Sequence, residues 1–209
     1  MTGWTGRRVL VTGAGGFIGS HLAERLVGAG ATVRALLRYT STASRGWLDG
    51  SPAGESIEVF AGDLCDRDVL SRAVRGVDVV FHLAALIGIP YSYDAPASYV
   101  RTNIEGTLAV LQTAAAAGEV VNIGSGKEIT VGALASLIQS IVGASWPVVS
   151  DEIRERPSAS EVERLCADAS RAQALLGWTP RFTLREGLAR TVEWIVEHRD
   201  RYRTSDYRV

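Results

Sequence analysis

The sequence predicts an α/β fold, with a parallel β-sheet that carries helices on both faces. Short apolar, β-branched segments alternate with segments of helical periodicity. A glycine cluster directly follows the first of these strands, and further glycines end the first helix. This alternation is typical of a parallel sheet, because a parallel neighbour must be reached through a crossover connection.

The N-terminal part of the chain supplies the strands and the helices between them. The predicted strands are Arg8–Thr12, Thr32–Leu37, Ile57–Ala61 and Asp78–Leu83. The predicted helices are Phe17–Val27, with Ile18, Leu22 and Leu26 on one face, then Val69–Val74 and a long helix Val100–Ala117. Residues 40–56 are rich in Ser, Gly and Thr, which predicts a surface loop.

The C-terminal part begins with one more apolar run, Val120–Gly124, which predicts a further strand. A polar and charged stretch then occupies residues 150–168. The predicted helices of this part are Val131–Ile141, a short helix capped by Ser170 and ended by Gly177, and Leu184–Ile195.

Charge and composition exclude several classes of function. The 209 residues carry a formal net charge of −1 and a pI near 6.3, so we expect no binding to nucleic acid or to a membrane surface. The sequence lacks both the run of about 18 apolar residues that a membrane helix needs and the apolar core of a signal peptide. Cys65 and Cys166 lack zinc-site spacing. We therefore expect a cytoplasmic protein without a metal.

The glycine cluster lies where a pyrophosphate would meet the N-terminus of the first helix. Gly13 permits a tight turn, Gly16 allows close backbone approach to phosphates, and Gly19 lets the helix pack against the strand. Phe17 and Ile18 complete this motif and are expected to line the ligand with it. A strand, a helix and a second strand surround the motif, which predicts a Rossmann-type site for NADP or NAD rather than an ordinary glycine-rich turn.

The residue after the second strand bears on the choice between NADP and NAD. An acidic residue there would bind the ribose hydroxyls of NAD, but the sequence has Arg38. An arginine suits the 2′-phosphate of NADP, so NADP is favoured. The alternative is that Arg38 is a solvated side chain at the end of a strand.

Several motifs resemble those of the extended short-chain dehydrogenase/reductases, which include NAD(P)-dependent nucleotide-sugar epimerases and dehydratases. Residues 86–93 and Arg201-Tyr202 look most like the nucleotide-sugar 4,6-dehydratase branch. The matching segments are TGAGGFIG at 12–19, GDL at 62–64, HLAA at 82–85, TNIEGT at 102–107, NIGSG at 122–126 and LGWTP at 176–180.

The resemblance implies further cofactor contacts. Asp63 and Leu64 look like the pair that contacts the adenine, and Leu83, Ala84 and Ala85 look like the turn that lines the cofactor. A nucleotide sugar is the implied small-molecule partner, and family members often form homodimers.

The family's acid–base chemistry rests on a Tyr-x-x-x-Lys pair, and here the sequence departs from the pattern. Its single lysine is Lys127, and Ile123 stands four positions before it. The chain passes from the long helix Val100–Ala117 almost directly to the late NIGSG segment, so two βα units of at least ~60 residues are missing. The sheet is therefore expected to be shortened after its fourth strand, with an exposed edge that residues 120–124, dimerisation or aggregation would cover.

Other polar residues are candidates for catalysis, but the sequence assigns none of them a catalytic role. Ser125 is expected to cap a turn, although a crossover could place it beside the fourth strand. Asn103 is expected to bond backbone rather than to position a water, and His82 to pack at a strand end. Tyr91, Tyr93 and Tyr99 lie near the cofactor turn but lack the cationic neighbour that a tyrosine base needs.

Arg156 is the predicted substrate residue. With Arg154 and Glu161 it matches a region that, in the family, approaches the substrate's diphosphate, and the alternative is a solvated loop. We assign residues 1–145 to an NAD(P)-binding domain and residues 146–209 to a small helical C-terminal lobe, the remnant of a substrate lobe.

The expected protein is a family member without its own catalytic base and inactive alone. Three alternatives remain: an enzyme that takes its base from a partner or another residue, a non-enzymatic cofactor sensor or interaction protein, and a deletion product without a selected role.

Overall fold

The computed structural model describes residues 3–114, 121–149 and 164–201. The chain divides into two compact units, Met1–Glu119 and Val120–Val209. The predicted functional boundary at residue 145 stays a prediction. By packing, the helix Val131–Val142 belongs to the second unit, where it contacts the helix Leu184–Glu197.

The first unit is built on a parallel sheet, as the sequence predicts. Every strand pair is parallel, and across the sheet the third strand lies beside the second, the second beside the first, and the first beside the fourth. Val9 of the first strand pairs with both Val33 and Val79. The segments that follow the first and fourth strands therefore leave the sheet at the same edge, side by side. The strands are β1 (Arg8–Thr12), β2 (Thr32–Leu37), β3 (Ile57–Ala61) and β4 (Val79–His82).

Helices cover both faces of this sheet. The long predicted helix is present as a helical stretch from Pro96 to Ala114, but its middle is a π-helix. The helical elements are α1 (Phe17–Gly28), the 3₁₀ turns Gly46–Gly50 and Gly54–Ser56, α2 (Arg67–Ala73), α3 (Ile89–Asp94), α4 (Pro96–Tyr99), the π-helix Val100–Gly106 and α5 (Thr107–Ala114).

The core lies on both sides of β1, where Val9 and Val11 face one cluster and Leu10 faces the other. Helix α1 packs on the first cluster through Ala23 and Leu26. The prediction that Ile18 shares this buried face is wrong, because Ile18 is 69% exposed. It lies in the first turn of α1, beside the glycine loop rather than over the strands.

The second unit consists of three helices and irregular segments in its described part. Helix α6 (Val131–Val142) begins after Thr130, whose hydroxyl accepts from the Ala133 amide at 3.2 Å. Helix α7 (Ser170–Leu176) is not capped by Ser170, because Ala169 occupies the cap position and the Asp168 carboxylate accepts from the Ser170 amide. Helix α8 (Leu184–Glu197) begins with a capping box formed by Thr183 and Glu186.

The predicted strand at residues 120–124 is wrong for the part that the structure describes. Residues 121–124 form no regular element, and the sheet contains only β1 to β4 among the described residues. An apolar run predicts a strand only if a partner supplies hydrogen bonds, and here Ile123 is exposed instead of packed. Strand β4 therefore remains outermost in the described sheet.

One face of the stretch Pro96–Ala114 is apolar and exposed, and we call it the apolar stripe. It consists of Val100, Ile104, Leu108 and Leu111, with Ile104 62% exposed. None of the helices in the described ranges has the length and apolar character needed to cross a membrane.

Candidate functional site

The glycine loop turns at the carboxyl end of β1, where it touches the segment that follows β4. Gly13 has a φ of 71°, in the left-handed region that favours glycine. A Cβ atom at Gly13 would lie 2.8 Å from the Ala84 nitrogen and 2.8 Å from the Leu83 carbonyl carbon. The loop and the Leu83–Ala84 backbone therefore lie in direct contact, which requires glycine at position 13.

Helix α1 begins at this loop without a side-chain cap. Gly16 is the cap residue, and no side chain of its own accepts from the first turn. Gly16 is exposed, and a Cβ atom there would meet only the Gly13 carbonyl oxygen, at 3.3 Å. At Gly19 a Cβ atom would lie 2.8 Å from Ala14 Cα, so this glycine lets the helix pack against the loop. The N-terminus of α1 is therefore suited to contact an anion such as a pyrophosphate through backbone groups rather than through a side chain.

A second loop covers the glycine loop, which sequence reasoning missed. The Trp47 amide donates to the Gly15 carbonyl oxygen at 3.0 Å, and the Trp47 and Phe17 rings meet edge to face at 5.3 Å. A Cβ atom at Gly15 would lie 3.1 Å from the Arg45 carbonyl oxygen. The positive φ of Gly46, 64°, is the local feature that allows this approach, and the sequence signal was Gly46 within a Ser-rich loop.

Asp49 organises this second loop. Its carboxylate accepts from the Ser44 hydroxyl at 2.9 Å and from the Arg45 guanidinium at 3.2 Å. The Ser44 hydrogen bond, with Arg45 as a further cause, holds the pKa of Asp49 below its usual value. Arg45 is thus committed to the loop, whereas Arg38 is exposed one residue beyond β2 and makes no hydrogen bond or ion pair with other described residues.

The turn Leu83–Ala85, predicted to line the cofactor, is anchored by the side chain of Thr12 at the end of β1. Its hydroxyl lies 3.2 Å from each of the Leu83 and Ala84 amides and 2.8 Å from His82 Nδ1. The other ring nitrogen, His82 Nε2, lies 3.0 Å from the Thr107 hydroxyl on α5. Burial lowers the pKa of His82. His82 does lie at a strand end, as expected, but it also joins two hydroxyl groups.

The next residues of this segment are held by the same helical stretch. The Asn103 side chain bonds the backbone of Leu86 twice, accepting from its amide and donating to its carbonyl oxygen, both at 2.8 Å. The Tyr99 hydroxyl donates to the Gly88 carbonyl oxygen. The prediction that Asn103 bonds backbone is confirmed. Tyr99 therefore has a structural partner rather than a position that is open to a substrate.

The two residues predicted at the adenine differ in their surroundings. Asp63 is exposed, and its carboxylate accepts from the Cys65 amide at 2.8 Å. Leu64 is 9% exposed and packs in the core, where a Cβ atom at Gly106 would lie 2.7 Å from its Cδ2. The Leu64 side chain thus contributes to packing of the core rather than to an open surface.

The remaining candidates fall into two groups. Arg154, Arg156 and Glu161 lie outside the described residues. Ser125 is exposed and its hydroxyl accepts from the Lys127 amide at 3.3 Å, which confirms the expected turn cap. Across the described ranges no group of His, Cys, Asp and Glu side chains is arranged to hold a metal ion.

The parallel sheet and the glycine loop at its carboxyl edge define an α/β protein of the Rossmann type, the class of the extended short-chain dehydrogenase/reductases. Residues 10–125 match the family model described as GDP-mannose 4,6 dehydratase, and the chain belongs to this family. The family predicted from the sequence motifs is thereby confirmed.

Individual relatives carry several different names. The chain is 38% identical to a UDP-glucose 4-epimerase of Streptomyces lividans over 53% of its length, and 29% identical to a dihydroflavonol 4-reductase of Zea mays over 81%. It covers less than half of these curated relatives, 33% of the epimerase and 43% of the reductase. An epimerase of Methanothermobacter thermautotrophicus has the same fold, with a TM-score of 0.71, 22% identity and 94% of each chain covered.

Proposed function

We propose that this chain binds NADP or NAD as a member of the nucleotide-sugar dehydratase and epimerase family, and that it does not turn over a sugar nucleotide on its own. The observation that carries the proposal is the backbone contact between Gly13 and the Leu83–Ala84 turn. This contact lies at the carboxyl ends of β1 and β4, where α/β proteins bind dinucleotides.

Each part of the dinucleotide has residues that suit it. The exposed backbone at Gly16 and the N-terminus of α1 suit the pyrophosphate. Asp63 suits the adenosine end, and the uncommitted guanidinium of Arg38 suits a 2′-phosphate, so we propose NADP as the preferred form. Leu83, Ala84 and Ala85 would line the cofactor further along. The bound nicotinamide would supply the hydride acceptor that this family uses.

The sequence contains no Tyr-x-x-x-Lys pair, and we propose on this ground that the chain lacks the base that its family uses. General-base catalysis contributes typically about 10²–10⁴-fold, and needs a group within hydrogen-bond reach of the proton. No tyrosine in the sequence precedes Lys127 at helical spacing. Tyr99 is bonded to the Gly88 carbonyl oxygen, which supports a structural role. The segment that would carry the family's Tyr-x-x-x-Lys pair is absent from this sequence, and substrate positioning is lost with it.

The test measures binding and turnover on the same preparation. Calorimetric titration with NADP⁺ and NAD⁺ is expected to give binding, stronger for NADP⁺. Assays with GDP-, UDP- and dTDP-hexoses are expected to give no 4,6-dehydration and no 4-epimerisation. Gly16→Val, which obstructs the pyrophosphate site, is the control for both measurements. Steady turnover that survives repurification and disappears in Gly16→Val would show that the chain is an active enzyme.

A further inference from the structure

The hydrogen bonds around Thr12 fix where the protons lie on His82. A hydroxyl group has one proton to donate and two lone pairs that accept. The Thr12 oxygen receives the Ala84 amide and, shared with the Thr12 carbonyl oxygen, the Leu83 amide, each at 3.2 Å. Thr12 is fully buried, so its proton needs a protein acceptor. The acceptor present is His82 Nδ1, at 2.8 Å.

This hydrogen bond also determines the protonation of the other ring nitrogen, Nε2. If Nδ1 accepts a hydrogen bond, a neutral imidazole carries its single proton on Nε2. The Nε2 nitrogen lies 3.0 Å from the Thr107 hydroxyl oxygen, and its N–H donates to that oxygen. The order is therefore amides to Thr12, Thr12 to His82, and His82 to Thr107. One chain of hydrogen bonds links the end of β1, the end of β4 and the start of α5.

We propose that His82 is a positioning residue for the dinucleotide site. Its neutral Nε2–H form holds the Leu83–Ala84 turn against Gly13, and protonation of His82 weakens dinucleotide binding. The proposal rests on the proposed function, since it takes the turn to line a dinucleotide. It adds a property that the glycine loop alone does not have, a dependence of affinity on the charge of one imidazole.

The physical reason is a reversal of one hydrogen bond. A protonated imidazole has a donor at both nitrogens, so Nδ1–H would face the Thr12 hydroxyl proton. Thr12 would have to turn its proton away and give a lone pair to the ring, in competition with the two amides. The turn loses its anchor at the residues that contact Gly13. Cofactor binding and protonation therefore oppose each other, by the same factor in both directions.

Among the described residues of β1 and α5, none places a charged side chain beside the ring that would offset this effect. Thr12 and Thr107 are the polar side chains that face it, from β1 and α5. The charged residue of β1 is Arg8, at the opposite end of the strand, where its amide binds Asp78 before β4. Helix α5 contains no acidic or basic residue. Burial, which lowers the pKa of His82, keeps the ring neutral near pH 7.

The first experiment reads the proton directly. Nitrogen-15 NMR of the full chain at pH 7.5 is expected to show the Nε2–H tautomer for His82, assigned with His82→Gln. Thr107→Val removes the acceptor and is expected to disturb this tautomer, whereas Thr107→Ser retains it. Detection of the Nδ1–H tautomer in the wild-type chain would overturn the proton order, whether or not a dinucleotide binds.

The second experiment measures NADP⁺ affinity between pH 7.5 and pH 5.5. The dissociation constant of the wild type should rise by up to about tenfold for each pH unit below the pKa of His82. His82→Gln should bind about 3- to 10-fold more weakly at pH 7.5, the value of one hydrogen bond, with a smaller pH dependence. Thr107→Val should lose a similar factor and Thr107→Ser should recover it.

Control experiments distinguish failure of the proposed His82 role from failure of the proposed dinucleotide binding. The 2′-phosphate titrates near pH 6, so slopes are compared between variants with the same ligand, and NAD⁺ repeats the series without that group. His198→Gln, in the second unit, should behave as wild type. Circular dichroism checks that each variant folds, and the NMR test needs no variant that changes affinity. Binding with an equal pH slope in wild type and His82→Gln overturns the role of His82 alone, whereas no binding at any pH overturns the proposed function as well.

Discussion

The glycine loop makes different demands at Gly13 and Gly16, and alanine substitutions should separate them. Gly13 has a φ of 71°, which costs an alanine roughly 1–2 kcal/mol. Its new methyl group would also lie 2.8 Å from the backbone nitrogen of Ala84, and such overpacking costs roughly 1–3 kcal/mol. Since backbone atoms are in the way, neither cost is relieved by a side-chain rotation. Gly13→Ala should therefore lower the free energy of unfolding by about 2–5 kcal/mol.

Gly16 offers the matched comparison. Its φ of −81° and ψ of 169° are extended backbone that any residue adopts. The contact of a Cβ atom with the Gly13 carbonyl oxygen, at 3.3 Å, needs only a small shift. Gly16→Ala should therefore stay within about 1 kcal/mol of wild type. Gly16→Val should fold as well but lose dinucleotide binding, because the branched side chain stands where the pyrophosphate approaches the backbone.

The assay is urea unfolding followed by circular dichroism, with calorimetric NADP⁺ titration of each folded variant. The slope of the unfolding curve is compared with wild type, so that a change in midpoint reports stability. A Gly13→Ala variant as stable as wild type would refute the assigned turn and its contact with the residues after β4. Unchanged affinity in Gly16→Val would refute the assignment of this loop to a pyrophosphate.

Three other predictions concern charge, surface and pH. Arg38→Ala should weaken NADP⁺ binding by about 1–3 kcal/mol and leave NAD⁺ binding nearly unchanged, with the exposed Arg75→Ala as control; tighter wild-type binding of NAD⁺ than of NADP⁺ would contradict it. Leu108→Lys in the apolar stripe should reduce self-association in sedimentation runs, relative to wild type and to Glu105→Gln. A wild type that is monomeric at all concentrations would argue against self-association through the apolar stripe. Because burial lowers the pKa of folded His82 from its ordinary 6.5, the unfolded chain takes up this proton first, so stability should fall as pH drops below about 6.5; a His82→Gln variant with the same pH dependence would exclude His82 as the cause.

Local patterns in the sequence predicted the sheet and the glycine loop well. Apolar runs and the glycine cluster depend on neighbouring residues, so β1 and the loop after it appear where expected. The contacts of Thr12 with His82 and of Trp47 with Gly15 join distant residues, and no periodicity encodes such pairs. The strand predicted at residues 120–124 failed for a related reason, because strand formation depends on a partner that the sequence does not specify.

The helical stretch after β4 bears on the proposal that this chain binds a dinucleotide without turning over a sugar nucleotide. Tyr99, Asn103 and Thr107 follow one another at four-residue spacing, which places them on one helix face. Their bonds to Gly88, Leu86 and His82 hold the turn from within the first unit. The next face carries the exposed apolar stripe. The groups that hold the Leu83–Ala85 turn therefore lie within residues 12–107, which precede the point where the family would carry its Tyr-x-x-x-Lys segment. The proposed absence of that segment would remove the base without releasing the turn. With one helix face holding the turn and the next face exposed, the arrangement predicts dinucleotide binding without turnover of a sugar nucleotide.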